Sequence, residues 1–222
     1  LRAVPFENLD IHLKRPLSLI EEDLFNKIVV RRRGGFCYEL NGLFAQVLRQ
    51  VGFEVTLLSA RTINNAGSLS FEYDHLALMV QTVDDLARWL ADVGYGDSFL
   101  EPLRLAETGW QLQANRAFKI DRAGDAFRLN MRDDAGHIEP QFAFTLQPRH
   151  LADFAGMCRY HQTSPDSSFT RKRICTLATI DGRITLSDLN FITTLQHQRV
   201  ERMLSGEEEY EQILRDKFGI VL

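Results

Sequence analysis

Three side chains in this sequence have the types needed to move an acyl group through a covalent intermediate: Cys37, His75 and Asp92. A cysteine reacts as its thiolate, and a place in the first turn of a helix favours that charge because unpaired backbone N–H groups and the helix dipole point at it. Apolar residues Leu40, Phe44, Val47, Leu48 and Val51 recur at three-to-four spacing after Gly34-Gly35 and stop at Gly52. This spacing predicts an amphipathic helix with Cys37 in its opening turn. The two preceding glycines allow the close backbone turn that can present a side chain at a cleft. Cys158 and Cys175 have no such setting and read as small buried hydrophobes.

A nucleophilic thiolate needs a base, and the base needs an orienting group. Asp74-His75-Leu76-Ala77-Leu78 and Trp89-Leu90-Ala91-Asp92-Val93-Gly94 have the look of two strands turning near Asp84-Asp85. In a hairpin with an even loop, opposing residue numbers sum to an odd value, such as 167 or 169 in this numbering. The first register sets His75 opposite Asp92 and the second sets them on a diagonal, and both send the two side chains to one face. Asp92 would then fix the imidazole tautomer while His75 takes the thiol proton. Taken singly, His75 could be a satisfied sheet histidine and Asp92 a strand-end carboxylate. Beside Cys37 the catalytic reading wins, because an aspartate within Trp-Leu-Ala-Asp-Val is otherwise a poor choice on a half-buried strand.

The elements that would carry these groups can be read in outline. The segment from Leu1 to Gly52 looks helical, and strands are predicted over Val55–Leu58, His75–Val83, Ala87–Val93, Ala126–Met131 and Gln141–Leu146, with turns at Asn64-Asn65-Ala66-Gly67 and Asp133-Asp134-Ala135-Gly136. Two further strands, Arg173–Ile180 and Arg183–Leu186, flank Asp181-Gly182, and a closing helix is predicted from a Ser205/Glu208 capping box with Tyr210, Ile213, Leu214 and Phe218 on its apolar face. The chain opens at Leu1 without a methionine and runs at once into motif-like sequence, so a start further upstream is expected.

Composition narrows the function class. With 45% hydrophobic and 25% charged residues the 222-residue chain can bury a globular core. The 26 Lys+Arg against 30 Asp+Glu leave no basic excess for nucleic acid, and Arg31-Arg32-Arg33 reads as a solvated or salt-bridged turn. Three scattered cysteines make neither a disulfide framework nor a metal site, which favours a reducing compartment, and no apolar run suggests a membrane span. The expectation is a cytoplasmic protein without a metal, a nucleic-acid partner or a membrane partner, its oligomeric state unassigned.

Pro5-Phe6-Glu7-Asn8-Leu9, Arg33-Gly34-Gly35-Phe36-Cys37-Tyr38-Glu39, Asp74-His75-Leu76 and Ala91-Asp92-Val93-Gly94-Tyr95-Gly96 resemble, in order and spacing, the motifs of the arylamine N-acetyltransferase family. The resemblance implies a Cys37–His75–Asp92 triad and an α+β fold: a helical part carrying the cysteine (1–53), an antiparallel β-barrel with His75 and Asp92 (54–150) and an α/β lid (151–222), on a core akin to papain-like cysteine enzymes. Acetyl-coenzyme A is the implied acetyl donor and an aromatic amine or hydrazine the acceptor. The stretch from Gln162 to Phe169 resembles the segment that helps bind coenzyme A, which carries Tyr160, Asp166, Ser168 and Phe169 over as contacts; Asp166 departs from the hydroxyl residue common there. Glu7 and Arg33 are implied as a structural ion pair. Phe6, Phe36 and Tyr73 are candidates to line an aromatic-amine pocket, with core packing as the alternative. Family members normally have helical sequence upstream of the Pro-Phe-Glu-Asn motif. The same triad logic would also serve an amide synthase, a transglutaminase-like cysteine hydrolase, or a non-catalytic module that retains the fold.

Overall fold

The computed structural model describes residues 1–64, 66–82, 86–114, 116–195 and 198–222. Unit 1 holds Leu1–Leu40, Gly94–Asp97 and Ala155–Leu222, and unit 2 holds Asn41–Val93 and Ser98–Phe154. Asn65, Val83 and the expected turn at Asp84-Asp85 lie outside the described residues.

The first fifty residues are less helical than their pattern suggests. Phe6–Glu7 forms a short strand, β1, paired with Thr176 and Cys175. A pairing partner about 170 positions away leaves no local trace in sequence. After β1 come α1 (Leu9–His12), α2 (Glu21–Phe25) running into a π-helical turn (Asn26–Val30), and α3 (Cys37–Gln50). The helix α3 starts at Cys37 and ends where predicted: Gly52 has φ +95°, and Phe53 N–H reaches back to the Leu48 carbonyl at 3.0 Å. Its buried surface is not the predicted stripe. Residues 37–43 are buried on every side, whereas Val47 and Val51 are 48% and 66% exposed. The first two turns are therefore a core helix, and the periodicity read from Val47 and Val51 has no packing behind it.

Unit 2 turns alternation into a nearly closed antiparallel barrel. Its strands are β2 (Glu54–Thr62), β3 (His75–Gln81), β4 (Arg88–Ala91), β5 (Leu103–Arg104), β6 (Gln111–Gln113), β7 (Arg116–Ala123), β8 (Ala126–Arg132) and β9 (Ile138–Thr145), in the order β5-β4-β3-β2-β9-β8-β7-β6. β3 and β4 pair as Leu78↔Ala91 and Met79↔Leu90, so their residue numbers sum to 169. The seam between edge strands β5 and β6 is bridged by side-chain amides. Gln111 accepts from Arg104 N–H at 2.7 Å and donates to the Arg104 carbonyl at 3.0 Å. A register shift between Leu129 and Asn130 sets Pro140 opposite Asn130, a place where its missing N–H is tolerated.

The rest of unit 1 comprises α4 (Ala155–Thr163), α5 (Ser168–Arg171), β10 (Ile174–Ala178), β11 (Gly182–Ser187), β12 (Asn190–Leu195), β13 (Gln198–Met203) and α6 (Glu207–Phe218). Its sheet runs β1-β10-β11-β12-β13, all antiparallel. Leu9, Cys175, Leu186, Tyr210, Leu214 and Phe218 share one buried cluster. The expected Ser205/Glu208 capping box is displaced by one residue: Glu209 takes both the Ser205 N–H at 2.7 Å and the Ser205 hydroxyl at 2.9 Å. Strand β13 leaves no signature in the sequence because every one of its residues is exposed, so it has no apolar alternation. No helix among the described residues is long and apolar enough to cross a membrane.

Candidate active site

Cys37 occupies the first position of α3 and is buried. The turn that delivers it is held by β1. Glu7 N–H donates to the Gly35 carbonyl at 2.9 Å, and a Cβ on Gly34 would lie 2.1 Å from the Pro5 carbonyl oxygen. Backbone therefore meets backbone, and no residue larger than glycine fits at 34. A Cβ on Gly35 would lie 2.8 Å from the Glu39 carboxylate, which folds back to accept the Phe36 N–H at 3.2 Å. Glu39, third in the helix, thus performs the return half of a capping box on the residue before it.

That carboxylate ends a buried chain of charges. Glu7 accepts from the Arg33 Nε and Nη2 at 3.0 and 2.8 Å; Arg33 also meets Asp10 at 3.1 Å; Asp10 meets Lys27 at 2.8 Å; Lys27 meets Glu39 at 2.7 Å. The implied Glu7–Arg33 pair is present and forms one link of this longer network. Burial pushes Asp10 up, but Lys27 and Arg33 together hold it below the usual carboxylate range. Burial pushes the Glu39 carboxyl up to about 7 against the pull of Lys27 and the Phe36 N–H. A carboxyl whose folded value is raised contributes stability that is fully present below its ordinary pKa of 4.5 and lost as pH rises through about 7. Glu39→Gln, which stays neutral, is expected to gain about 2–3 kcal/mol relative to the parent protein between about pH 5 and pH 8. Urea unfolding of both proteins at the two pH values measures this; a constant difference between them would refute it.

In unit 2, His75 is the first residue of β3, opposite Ala60 of β2. Its Nε2 lies 2.6 Å from the Asp92 Oδ2, and both residues are buried. Asp92 follows the last residue of β4, so it is a strand-exit residue where the sequence placed it on a strand. The turn before His75 is fixed by Tyr73, whose φ of +65° is unusual for a non-glycine residue and whose N–H donates to Ser59 Oγ at 2.9 Å. Asp74 accepts from the Thr62 hydroxyl at 2.6 Å. One residue that sequence reasoning misses enters here. Asn41, buried on α3, donates to the Leu76 carbonyl at 2.6 Å and to Asp92 Oδ1 at 2.8 Å, and accepts from Val93 N–H at 2.9 Å. Its one signal is an asparagine four positions after Cys37, between the apolar residues Leu40 and Leu43 of the predicted helix.

The remaining candidates fall into different surroundings. Phe6, Phe36 and Phe169 converge in unit 1, with Phe36 and Phe169 5.6 Å apart and His161 5.0 Å from Phe169. Tyr160 stands 5.6 Å from His161. Tyr73 belongs to unit 2 and packs on Phe154 at 5.3 Å, beneath the Arg149 guanidinium. Asp166 is exposed and Ser168 opens α5, while the buried Ser167 hydroxyl caps that helix by accepting from Phe169 N–H at 3.2 Å. Burial pushes the Cys158 thiol up to about 12 and Cys175 well above its ordinary value, so both are unreactive at neutral pH. Among the described residues no group of three or more His, Cys, Asp or Glu could hold a metal ion.

Similarity to known proteins extends over the whole chain. A family model described as N-acetyltransferase matches residues 1–222. The arylamine N-acetyltransferase pineal gland isozyme NAT-10 of Gallus gallus is 34% identical over 246 residues, which span 100% of this chain and 84% of that protein. The solved structure of the Mycobacterium smegmatis arylamine N-acetyltransferase superposes with a TM-score of 0.92 at 33% identity, covering 100% of this chain and 82% of the other. A Mycobacterium marinum arylamine N-acetyltransferase in complex with CoA does so with a TM-score of 0.90 at 29% identity, covering 99% and 82%.

Proposed function

Since the chain belongs to the arylamine N-acetyltransferase family, we propose that it moves an acetyl group from acetyl-coenzyme A to an aromatic amine or hydrazine, with Cys37, His75 and Asp92 as its catalytic triad. The observation that carries this reading is the buried 2.6 Å contact between His75 Nε2 and Asp92 Oδ2. A carboxylate that accepts the Nε2 proton leaves Nδ1 as the basic nitrogen of the ring and stabilises the imidazolium once a second proton arrives.

The reaction runs in two halves. In the first, His75 takes the proton of Cys37, and the thiolate attacks the acetyl carbonyl with the α3 N-terminus favouring the developing negative charge. The carbon–sulfur bond to coenzyme A breaks, coenzyme A leaves as a thiol with the proton returned by His75, and Cys37 keeps the acetyl group as a thioester. In the second, a neutral amine attacks that thioester, His75 removes the amine proton and returns it to the departing Cys37 sulfur, and the amide is released. Aromatic amines suit this step because their low basicity leaves them unprotonated near neutrality.

Tyr160, Ser168 and Phe169 are the residues we assign to coenzyme A, with Asp166 as a neighbour whose carboxylate would not favour phosphate. Of the acceptor candidates, the half-buried Tyr73 is assigned to the acceptor, whereas Phe6 and Phe36, 8% and 0% exposed, take the alternative of core packing. The protein is assigned to the cytoplasm, where a reducing environment keeps its three thiols free of disulfides.

Mixing the protein with acetyl-coenzyme A alone is expected to release one equivalent of coenzyme A and to add one acetyl group to the intact mass, on the peptide containing Cys37. Adding an arylamine should discharge it. If acetylated amine forms only in the ternary mixture, with no acetylated protein, the two-step reaction fails; continuous coenzyme A release without acceptor would mark a hydrolase.

A further inference from the structure

β3 and β4 part company at the residues that matter most. Their ladder ends with Leu78 against Ala91, and the same register carried two residues further would set Leu76 against Val93. Between those two backbones the side chain of Asn41 is bonded to both. Its Nδ2 donates to the Leu76 carbonyl at 2.6 Å, its Oδ1 accepts the Val93 N–H at 2.9 Å, and its second Nδ2 hydrogen goes to Asp92 Oδ1 at 2.8 Å. A carboxamide has the donor and acceptor layout of one peptide unit, so Asn41 satisfies the carbonyl and N–H that a continued ladder would have joined directly. The strands are thereby held apart with neither group left bare. Asp92 is held at the same time: Asn41 binds one of its oxygens, and the other is left for His75 at 2.6 Å.

We propose that Asn41 is a positioning residue that acts through Asp92: its carboxamide is a peptide surrogate wedged between β3 and β4, and it sets the gap across which His75 reaches the carboxylate. This rests on the triad reading above. Without the wedge, Leu76 and Val93 can bond to each other, β4 is drawn in by one ladder step, and Asp92 no longer presents its oxygen to the imidazole. A misplacement of even about 1 Å can cost about 10²-fold in rate.

The test is a double-mutant cycle on the rate of coenzyme A release in the first half-reaction. Asn41→Ala is expected to lower kcat about 10²-fold, with the KM for acetyl-coenzyme A within about twofold. In an Asp92→Asn background the same change should have little further effect, because the group it acts through is already lost. Multiplicative losses in the double variant would overturn the proposal and leave Asn41 with a merely structural role. A fully active Asp92→Asn single variant would instead remove the triad reading itself, so the two failures are separable. If Asn41→Ala does not fold, the cycle is run with Asn41→Ser, with the same readouts. In the parent protein the Val93 amide must exchange slowly with solvent; exchange at the rate of an open loop also overturns the proposal.

Discussion

Cys37→Ser is expected to reduce arylamine acetylation by at least about 10⁴-fold and to abolish the acetylated form of the protein. A serine hydroxyl has a pKa far above that of a thiol, so a histidine held by one carboxylate converts a negligible fraction of it to the oxyanion. An ester on serine would also pass its acetyl group to a weakly basic aromatic amine far more slowly than a thioester does. The neighbouring thiols offer no substitute, because burial holds Cys158 at about 12 and Cys175 well above its ordinary value. Initial rates with acetyl-coenzyme A and an arylamine, read beside intact mass, give the answer. A serine variant retaining the parent rate would end the covalent mechanism. Iodoacetamide supplies an independent check: Cys37 should be alkylated first, whereas equal labelling of all three cysteines would indicate a protein that keeps the fold without the chemistry.

Arg33→Met is expected to destabilise the protein by about 3–5 kcal/mol. Arg33 bonds Glu7 and Asp10, both buried, and Glu7 has no exposed surface at all. Removing the guanidinium leaves a carboxylate with no water to solvate it and the Leu9 N–H, at 2.7 Å, as its remaining close donor among the described residues. Against a total stability of about 5–15 kcal/mol for a typical domain, that loss is large. The more exposed Lys119–Asp121 pair on β7, 2.9 Å apart, is the control; Lys119→Met should shift stability by less than about 1 kcal/mol. Denaturant midpoints of the two variants separate buried from solvated charge, and equal small shifts would show that the network is stabilised some other way.

How much of this could be read from residues alone depends on the range of the interaction. The start of α3 at Cys37 and its stop at Gly52 follow from local chemistry, a glycine pair before and a left-handed glycine after, and both were legible. Loop parity restricts the register of β3 on β4 to odd sums such as 167 or 169, and the structure has 169. Asp92 was legible as an anomaly, a carboxylate in apolar surroundings. Lys27 and Asn41 were not: the partners of each lie well away in sequence, and a lysine after the short acidic helix α2 or an asparagine within the longer α3 looks ordinary until those partners are in place. The apolar pattern of α3 misled for the opposite reason. Val47 and Val51 have the right spacing, but spacing does not say whether a neighbour exists to cover them.

The pairing of β1 with β10 also dictates the order in which the chain can assemble. Unit 2 has all its residues once Phe154 has been made, whereas the core of unit 1 joins Leu9 to Phe218 and pairs Phe6 with Thr176. During synthesis the segment bearing Cys37 must wait, its strand partner unbuilt, until the codons for Thr176 and the cluster beyond it have been translated. The nascent polypeptide thus leaves Leu9 without the partners of its buried cluster until the last helix has been made.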